Sequence, residues 1–217
     1  MPHRTLTLQQ AAKKVHLSER ELNHLVLRDE VPFQKRGDGV VFETRLLHEW
    51  YQRRILALPA KTLAEQHRSA ITDRLRAGDA DALVPRLFRP AWMTPALASR
   101  TKPAVLRDMV ALAVSTGLLY DDAAFLREIE DREGVASTAI SGGAAFLHTR
   151  YHDPYHAADS FAVLGRTPNG IFFGAPDSEE TDLFFLIYCT DDALHLHALA
   201  RLCMLARGSS LFDDLRA

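Results

Sequence analysis

Residues 183–189, Leu-Phe-Phe-Leu-Ile-Tyr-Cys, are apolar without interruption. A strand exposed to water on one side alternates apolar and polar residues. A run with no alternation, and too short for a buried helix, predicts a strand covered on both faces at the centre of a sheet. Ser160-Phe161-Ala162-Val163-Leu164-Gly165 is a second strand-like run. Around these two runs lies helical text. Residues 95–117 bring Leu97, Val105, Leu106, Met109 and Val110 to one side, with Pro103 near the start and Gly117 as the stop. Asp121 caps a helix over residues 122–132, and Asp191 opens another that stops at Gly208. Helices interspersed with buried strands predict an α/β sandwich, a mixed sheet flanked by helices, over residues 85–217.

The first fifty-odd residues follow a different pattern. Thr7 with Gln10, then Ser18 with Glu21, are two capping signatures in succession, each opening a short helix. The second helix, from Ser18 to about Asp29, turns Leu22, Leu25 and Val26 to one side. Arg20, Asn23, His24 and Arg28 occupy the others. Gly37-Asp38-Gly39 between Val31–Arg36 and Val40-Val41-Phe42 predicts a hairpin, and Thr44 is expected to cap a third helix containing Trp50 and Tyr51. Two capped helices, a basic hairpin and a closing helix predict a small winged helix-turn-helix head over residues 1–57.

The two texts LTLQQAAKKVHLSERELNHLV and DEVPFQKRGDGVVFETRLLHEWYQRR, residues 6–26 and 29–54, resemble the excisionase and MerR-like winged-helix family. That resemblance implies DNA as a partner, with the second helix in the major groove. Arg20, Asn23, His24 and Arg28 would face base edges, and Lys35 and Arg36 would lie along phosphates. Charge points the same way. Residues 1–60 hold ten Lys/Arg against seven Asp/Glu, a formal +3, in a chain of net charge −2. A protein-docking head of the same shape is the competing reading, favoured by Glu19, Glu21, Asp29 and Glu30 around the second helix.

Between head and sandwich, residues 58–84 read as a helical connector. Leu63, His67, Ile71 and Leu75 recur at helical spacing, a stripe that packs on its own domain or pairs two subunits into a homodimer.

The candidate chemistry lies in residues 132–150, REGVASTAISGGAAFLHTR. An Arg-Glu pair, two hydroxyls and a glycine turn precede an apolar quartet that delivers His148, placing an imidazole at the lip of a pocket. On the residues alone a satisfied core histidine is the competing reading. This stretch, followed by the GIFFGAPD turn at residues 170–177 and HLHALARL at 195–202, resembles the fructose/mannitol/nitrogen-type enzyme IIA domains of the bacterial phosphotransferase system. LFRPAWMTPALASRTKPAVLRDMVALAVSTG, residues 87–117, resembles that family's opening helices. The resemblance implies that His148 accepts a phosphoryl group from a phosphocarrier protein, making the body a histidine phosphocarrier rather than a turnover enzyme. It further implies that His195 lies close by and that Arg132, with Thr138 and Ser137, supplies donors to the phosphoryl oxygens. The family usually has proline before the histidine; here the residue is Leu147.

No metal and no cofactor is expected. His148, His152 and His156 recur every four residues, the spacing of ligands on a helix face, but Asp153 and Pro154 break any such helix. His197 reads as an ordinary helix residue facing away from His195. Cys189 and Cys203 lack metal spacing and fit a reduced cytoplasmic pair. No apolar run reaches the about 18 residues that suggest a membrane span.

Together these features predict a cytoplasmic DNA-binding transcriptional regulator that senses the phosphotransferase system through phosphorylation of His148. The alternatives are a IIA-derived scaffold without phosphorylation and a metabolic IIA phosphocarrier with a docking head.

Overall fold

In the computed structural model of the protein, residues 5–37, 39–59, 61–64, 84–150 and 155–217 are described. The chain divides into two units, Met1–Arg76 and Ala77–Ala217.

In the first unit, both capping signatures form. Helix α1, Leu8–Lys14, is opened by Thr7. Its Oγ1 accepts the Gln10 N–H at 3.3 Å, while the Gln10 side chain accepts the Thr7 N–H at 3.1 Å. Helix α2, Glu19–Leu27, repeats the arrangement with Ser18 and Glu21 at 3.2 and 2.9 Å. Each box satisfies two backbone donors that a helix start otherwise leaves unpaired. Leu22, Leu25 and Val26 are buried, as their spacing predicts. The sheet has the order β1-β3-β2, with β1 at Thr5–Thr7, β2 at Gln34–Arg36 and β3 at Gly39–Glu43. Both pairings are antiparallel, so the expected hairpin is present; Asp38 at its tip lies outside the described residues.

Helix α3 covers Thr44–Ala57. Thr44 is its first residue rather than its cap, and Glu43 before it makes no side-chain capping bond. Leu47, Tyr51 and Ile55, four residues apart, join Leu22 and Phe42 in the buried set. Burial lifts the Tyr51 hydroxyl to a pKa of about 12. Residues 61–64 are helical; the rest of the expected connector helix, residues 65–76, lies outside the described residues.

The second unit is built on a five-stranded mixed sheet of order β4-β7-β8-β6-β5. Its strands are β4 (Met93–Thr94), β5 (Ala139–Ile140), β6 (Ala144–Leu147), β7 (Phe161–Ile171) and β8 (Thr181–Tyr188). The apolar run is the central strand, β8, antiparallel to β7 and parallel to β6. Its alternate residues are buried on opposite faces. Phe184, Leu186 and Tyr188 join one core with α4 (Lys102–Val114) and α5 (Asp122–Val135). Phe185, from the other face, packs against Phe88, Phe146 and Phe212 at ring separations of 5.3–6.2 Å. Phe212 belongs to α7 (Leu211–Arg216), which follows α6 (Asp192–Gly208).

Three details differ from the sequence reading. The helix expected over residues 95–117 is regular only from Lys102. Thr101 caps it there by accepting the Ala104 N–H, with Pro103 in the first turn. The preceding stretch instead runs along β7, where the Leu97 N–H meets the Arg166 carbonyl at 2.7 Å. That close approach requires Gly165, where a Cβ would overlap Leu97 and stand 2.7 Å from Met109 Sδ. Strand β7 continues beyond the expected Gly165 to Ile171. Finally, β5 and β6 are strands, which small residues such as Ala139, Ala144 and Ala145 do not signal by themselves.

Candidate functional site

Strands β5 and β6 form a hairpin around Ser141-Gly142-Gly143, with Ala139 opposite Ala145 and Ile140 opposite Ala144. Gly143, at φ 81°, turns its carbonyl to the N–H groups of Asp182 and Leu183 at 3.0 and 3.1 Å, which registers the hairpin against β8. The residue after β6 is His148. It is 0 % exposed, so the glycine turn does not place it at the lip of a pocket. All four residues of β6 are buried, and the strand carries the ring inside with them. Leu147, in the place of the resembled family's proline, packs in the core and pairs with Leu186 of β8.

Both ring nitrogens of His148 are engaged. Nδ1 lies 2.7 Å from the Phe146 carbonyl, and Nε2 lies 3.1 Å from Nε of Arg132, on the last turn of α5. A guanidinium only donates, so Nε2 is the acceptor and Nδ1 carries the hydrogen. Arg132 is itself fully buried and donates from Nη1 to the Ala136 carbonyl at 2.8 Å. The ring of His195, near the start of α6, is centred 5.3 Å from that of His148. It is 5 % exposed. Asp191 begins that helix by accepting the N–H groups of Ala193 and Leu194, both at 2.9 Å. The structure therefore gathers Arg132, His148 and His195. A neutral imidazole with one lone pair, beside a guanidinium and a second imidazole, is equipped to accept an electrophilic, anionic group and to hold it with N–H donors.

The hydroxyls are used otherwise. Ser137 donates to the Phe173 carbonyl at 2.9 Å, and Thr138 donates to Oε2 of Glu133 at 2.6 Å. Glu133 also accepts the Thr138 N–H and pairs with Lys102 at 2.7 Å. Sequence reasoning gave Glu133 and Lys102 no role. Glu133 had one signal, its position next to Arg132; Lys102 had none. His197 is buried like His195, not facing out as expected. His152 lies outside the described residues, while His156 stacks edge-on against Phe125 at 5.6 Å. Cys189 and Cys203 are free and buried, and burial raises both thiols, Cys203 to about 12.

In the head, Arg20, Asn23, His24, Arg28, Lys35 and Arg36 are all exposed. Arg28 forms an ion pair with Glu30 at 2.8 Å. The carboxylates of Glu19 and Glu21 share the first turn of α2 with Arg20.

The family model of the phosphoenolpyruvate-dependent sugar phosphotransferase system, EIIA 2, matches residues 86–217, a span containing Arg132, His148 and His195. The chain belongs to this family. Over 134 residues it is 30% identical to a nitrogen regulatory protein of Bradyrhizobium diazoefficiens, covering 60% of this chain and 84% of that relative. It is 33% identical over 109 residues to the fructose-specific EIIABC component of Bacillus subtilis, covering 49% of this chain but only 17% of that protein. The fold of the EIIA 2 body also matches solved structures. The nitrogen regulatory protein IIA-Ntr of Neisseria meningitidis superposes with a TM-score of 0.56 at 19% identity, over 62% of this chain and 91% of that one. Mannitol enzyme IIA of Escherichia coli, solved in complex with phosphorylated enzyme IIB, gives 0.52 at 17% identity, over 60% and 88%. Among the described residues, no helix is long and apolar enough to cross a membrane.

Proposed function

We propose that the protein is a DNA-binding regulator in which His148 of the EIIA 2 body is a phosphoryl-accepting switch. The observation that carries this reading is the Nε2 of His148, a lone pair on a neutral imidazole held 3.1 Å from Arg132 and facing a second imidazole. In the transfer, Nε2 attacks phosphorus and the donor–phosphorus bond breaks, its electron pair leaving with the donor. No proton needs to move, because Nδ1 keeps its hydrogen and goes on donating it to the Phe146 carbonyl. Arg132 gives up Nε2 and, with His195, donates to the phosphoryl oxygens. Because His148 is fully buried, a donor reaches it only when the body opens locally, and the bound phosphoryl group adds close to two negative charges inside. The nitrogen regulatory relative and the enzyme IIA captured with phosphorylated enzyme IIB make another protein of the phosphotransferase system the natural donor, when phosphorylated, or recipient, when not.

The head supplies the output. Helix α2 exposes Arg20, Asn23 and His24, and the β2–β3 hairpin exposes Lys35 and Arg36, side chains suited to purine edges and phosphates respectively. The domain limits that go with this reading are residues 1–57 for the head, 58–84 for the connector and 85–217 for the body.

Two experiments test the two halves. Incubation with the system's general phosphocarrier, its kinase and labelled phosphoenolpyruvate is expected to label the wild type and not His148→Ala; an unlabelled wild type sinks the switch. A DNA gel shift across a salt series is expected to give a steep slope. It should fall by about 1.8 when Lys35 and Arg36 are both replaced by alanine, since each phosphate contact contributes roughly 0.9. A flat series sinks the DNA half. A second reading, an unphosphorylated IIA-derived scaffold, is favoured by the complete burial of His148 and by Leu147 before it.

A further inference from the structure

We infer that Glu133, paired with Lys102, is a positioning residue that holds the His148 ring in the Nδ1–H tautomer, with Nε2 as the accepting nitrogen. The inference rests on the reading of His148 as phosphoacceptor. Arg132 and Glu133 are consecutive on α5, so their side chains leave the helix about 100° apart and reach the β5–β6 hairpin by separate routes. Arg132 goes directly to Nε2 of His148. Glu133 goes through the backbone. Its carboxylate accepts the Thr138 N–H at 3.2 and 3.0 Å and the Thr138 hydroxyl at 2.6 Å. The Thr138 carbonyl accepts the Phe146 N–H at 3.1 Å, and the Phe146 carbonyl takes Nδ1 of His148 at 2.7 Å. One helix end thus addresses both nitrogens of the ring, and the two contacts together admit only the Nδ1–H tautomer.

Lys102 secures the far side of the carboxylate. Its Nζ lies 2.7 Å from Glu133 Oε1 and 2.9 Å from the Phe173 carbonyl, 4.6 Å above the Phe173 ring. The Glu133 side chain is only 2 % exposed. A carboxylate that deep requires several donors to be retained, and here they come from α4 and from the hairpin. Removing it frees the Thr138 peptide, and with it the strand that aims the Phe146 carbonyl at the ring.

The test uses the full chain, unphosphorylated, with nitrogen-15 histidine. Long-range proton–nitrogen spectra of the wild type are expected to show the His148 ring in the Nδ1–H tautomer alone. Glu133→Gln, which keeps size and an acceptor but loses the attraction to Lys102, should show a mixture of tautomers. Glu133→Ala should show a larger share of the second form. Phosphoryl acceptance should fall about tenfold or more in both, the scale of a small misplacement at a reacting centre, and less in Lys102→Met. Val110→Ala, a core change elsewhere in the body, controls for destabilisation and should leave the tautomer intact. A folded Glu133→Gln with the wild-type tautomer overturns the inference, as does a tautomer mixture in Val110→Ala. If the wild type takes no phosphoryl group, the proposed function fails, while the tautomer spectra still decide the role of Glu133.

Discussion

The head and the body present their candidate residues in opposite ways. In the head, Arg20, Asn23, His24, Lys35 and Arg36 stand in water on elements whose caps and turns are closed by neighbours three residues away. In the body, Arg132, Glu133, His148 and His195 are all buried, and each is held by residues from other elements. A surface suited to a long polyanion needs only the right charges on the right side of a helix. A group that changes its own charge needs a fixed, water-poor setting in which that change is felt. The difference has an energetic side. Exposed charges contribute little individually to folding, whereas the body's site stands or falls with its core.

The largest effect expected from this contrast is at Phe125. It is fully buried on α5, seven residues before Arg132, and packs against Phe161 and Tyr188 at ring separations of 6.5 and 6.0 Å. Phe125→Ala should cost the body about 3–5 kcal/mol, the usual range for a buried phenylalanine truncated to leave a cavity. Urea unfolding followed by Trp92 fluorescence in a Trp50→Phe background measures it. A loss under about 1 kcal/mol would mean that the site is not held by the core behind α5.

The same contrast explains what could be read from the sequence. The Thr7–Gln10 and Ser18–Glu21 boxes were legible because every partner lies within one helical turn. Strand β8 was legible because an unbroken apolar run has few places to go. The hairpin that carries His148 was legible as a glycine turn but not as two strands, since Ala139, Ala144 and Ala145 carry no strand signal until β8 supplies a partner. The burial of His148 stood only as the competing core reading for the same reason: a turn suggests a rim, and only the sheet shows that this turn precedes an interior strand. Arg132 and His195 were found through resemblance to a family. Lys102 was not, because a salt bridge between two helices leaves no trace in spacing.

A smaller effect is expected at Arg216, on α7. Its guanidinium grips Asp182 at 2.6–3.1 Å and reaches the carbonyls of Gly142 and Gly143 at 2.9 and 3.3 Å, tying the helix to the turn before His148. The bonds to Asp182 raise the arginine's pKa further. Hydrogen bonds to a charged group contribute about 1.5–3 kcal/mol. With both side chains partly exposed, solvent screening reduces the expected cost of Arg216→Ala to roughly 1.5 kcal/mol. Hydrogen exchange at the Asp182 and Leu183 amides, which meet the Gly143 carbonyl, should quicken in step. Unchanged exchange would show that β8 registers the turn without help from α7.

The smallest effect tests the head, where structure is local. Ser18→Ala removes the hydroxyl that accepts the Glu21 N–H and donates to Glu21 Oε2 at 2.6 Å. The loss of a cap costs about 1 kcal/mol. It also has a pH signature. The Ser18 side chain, and after it the Ser18 backbone N–H, lower the Glu21 pKa below its ordinary 4.5 in the folded head. A carboxylate with a depressed folded value stabilises above its unfolded value and loses that contribution as pH falls through the folded one. The gap in stability between wild type and Ser18→Ala should therefore be widest near neutrality and narrow well below 4.5, read by urea unfolding with Trp50 as the probe in a Trp92→Phe background. Glu21 is largely exposed, so added salt should shrink the pH-dependent part and leave the rest of the cap's contribution in place. A gap that is the same at both pH values would mean that the hydroxyl acts through the backbone of α2 alone and that its bond to Glu21 contributes nothing.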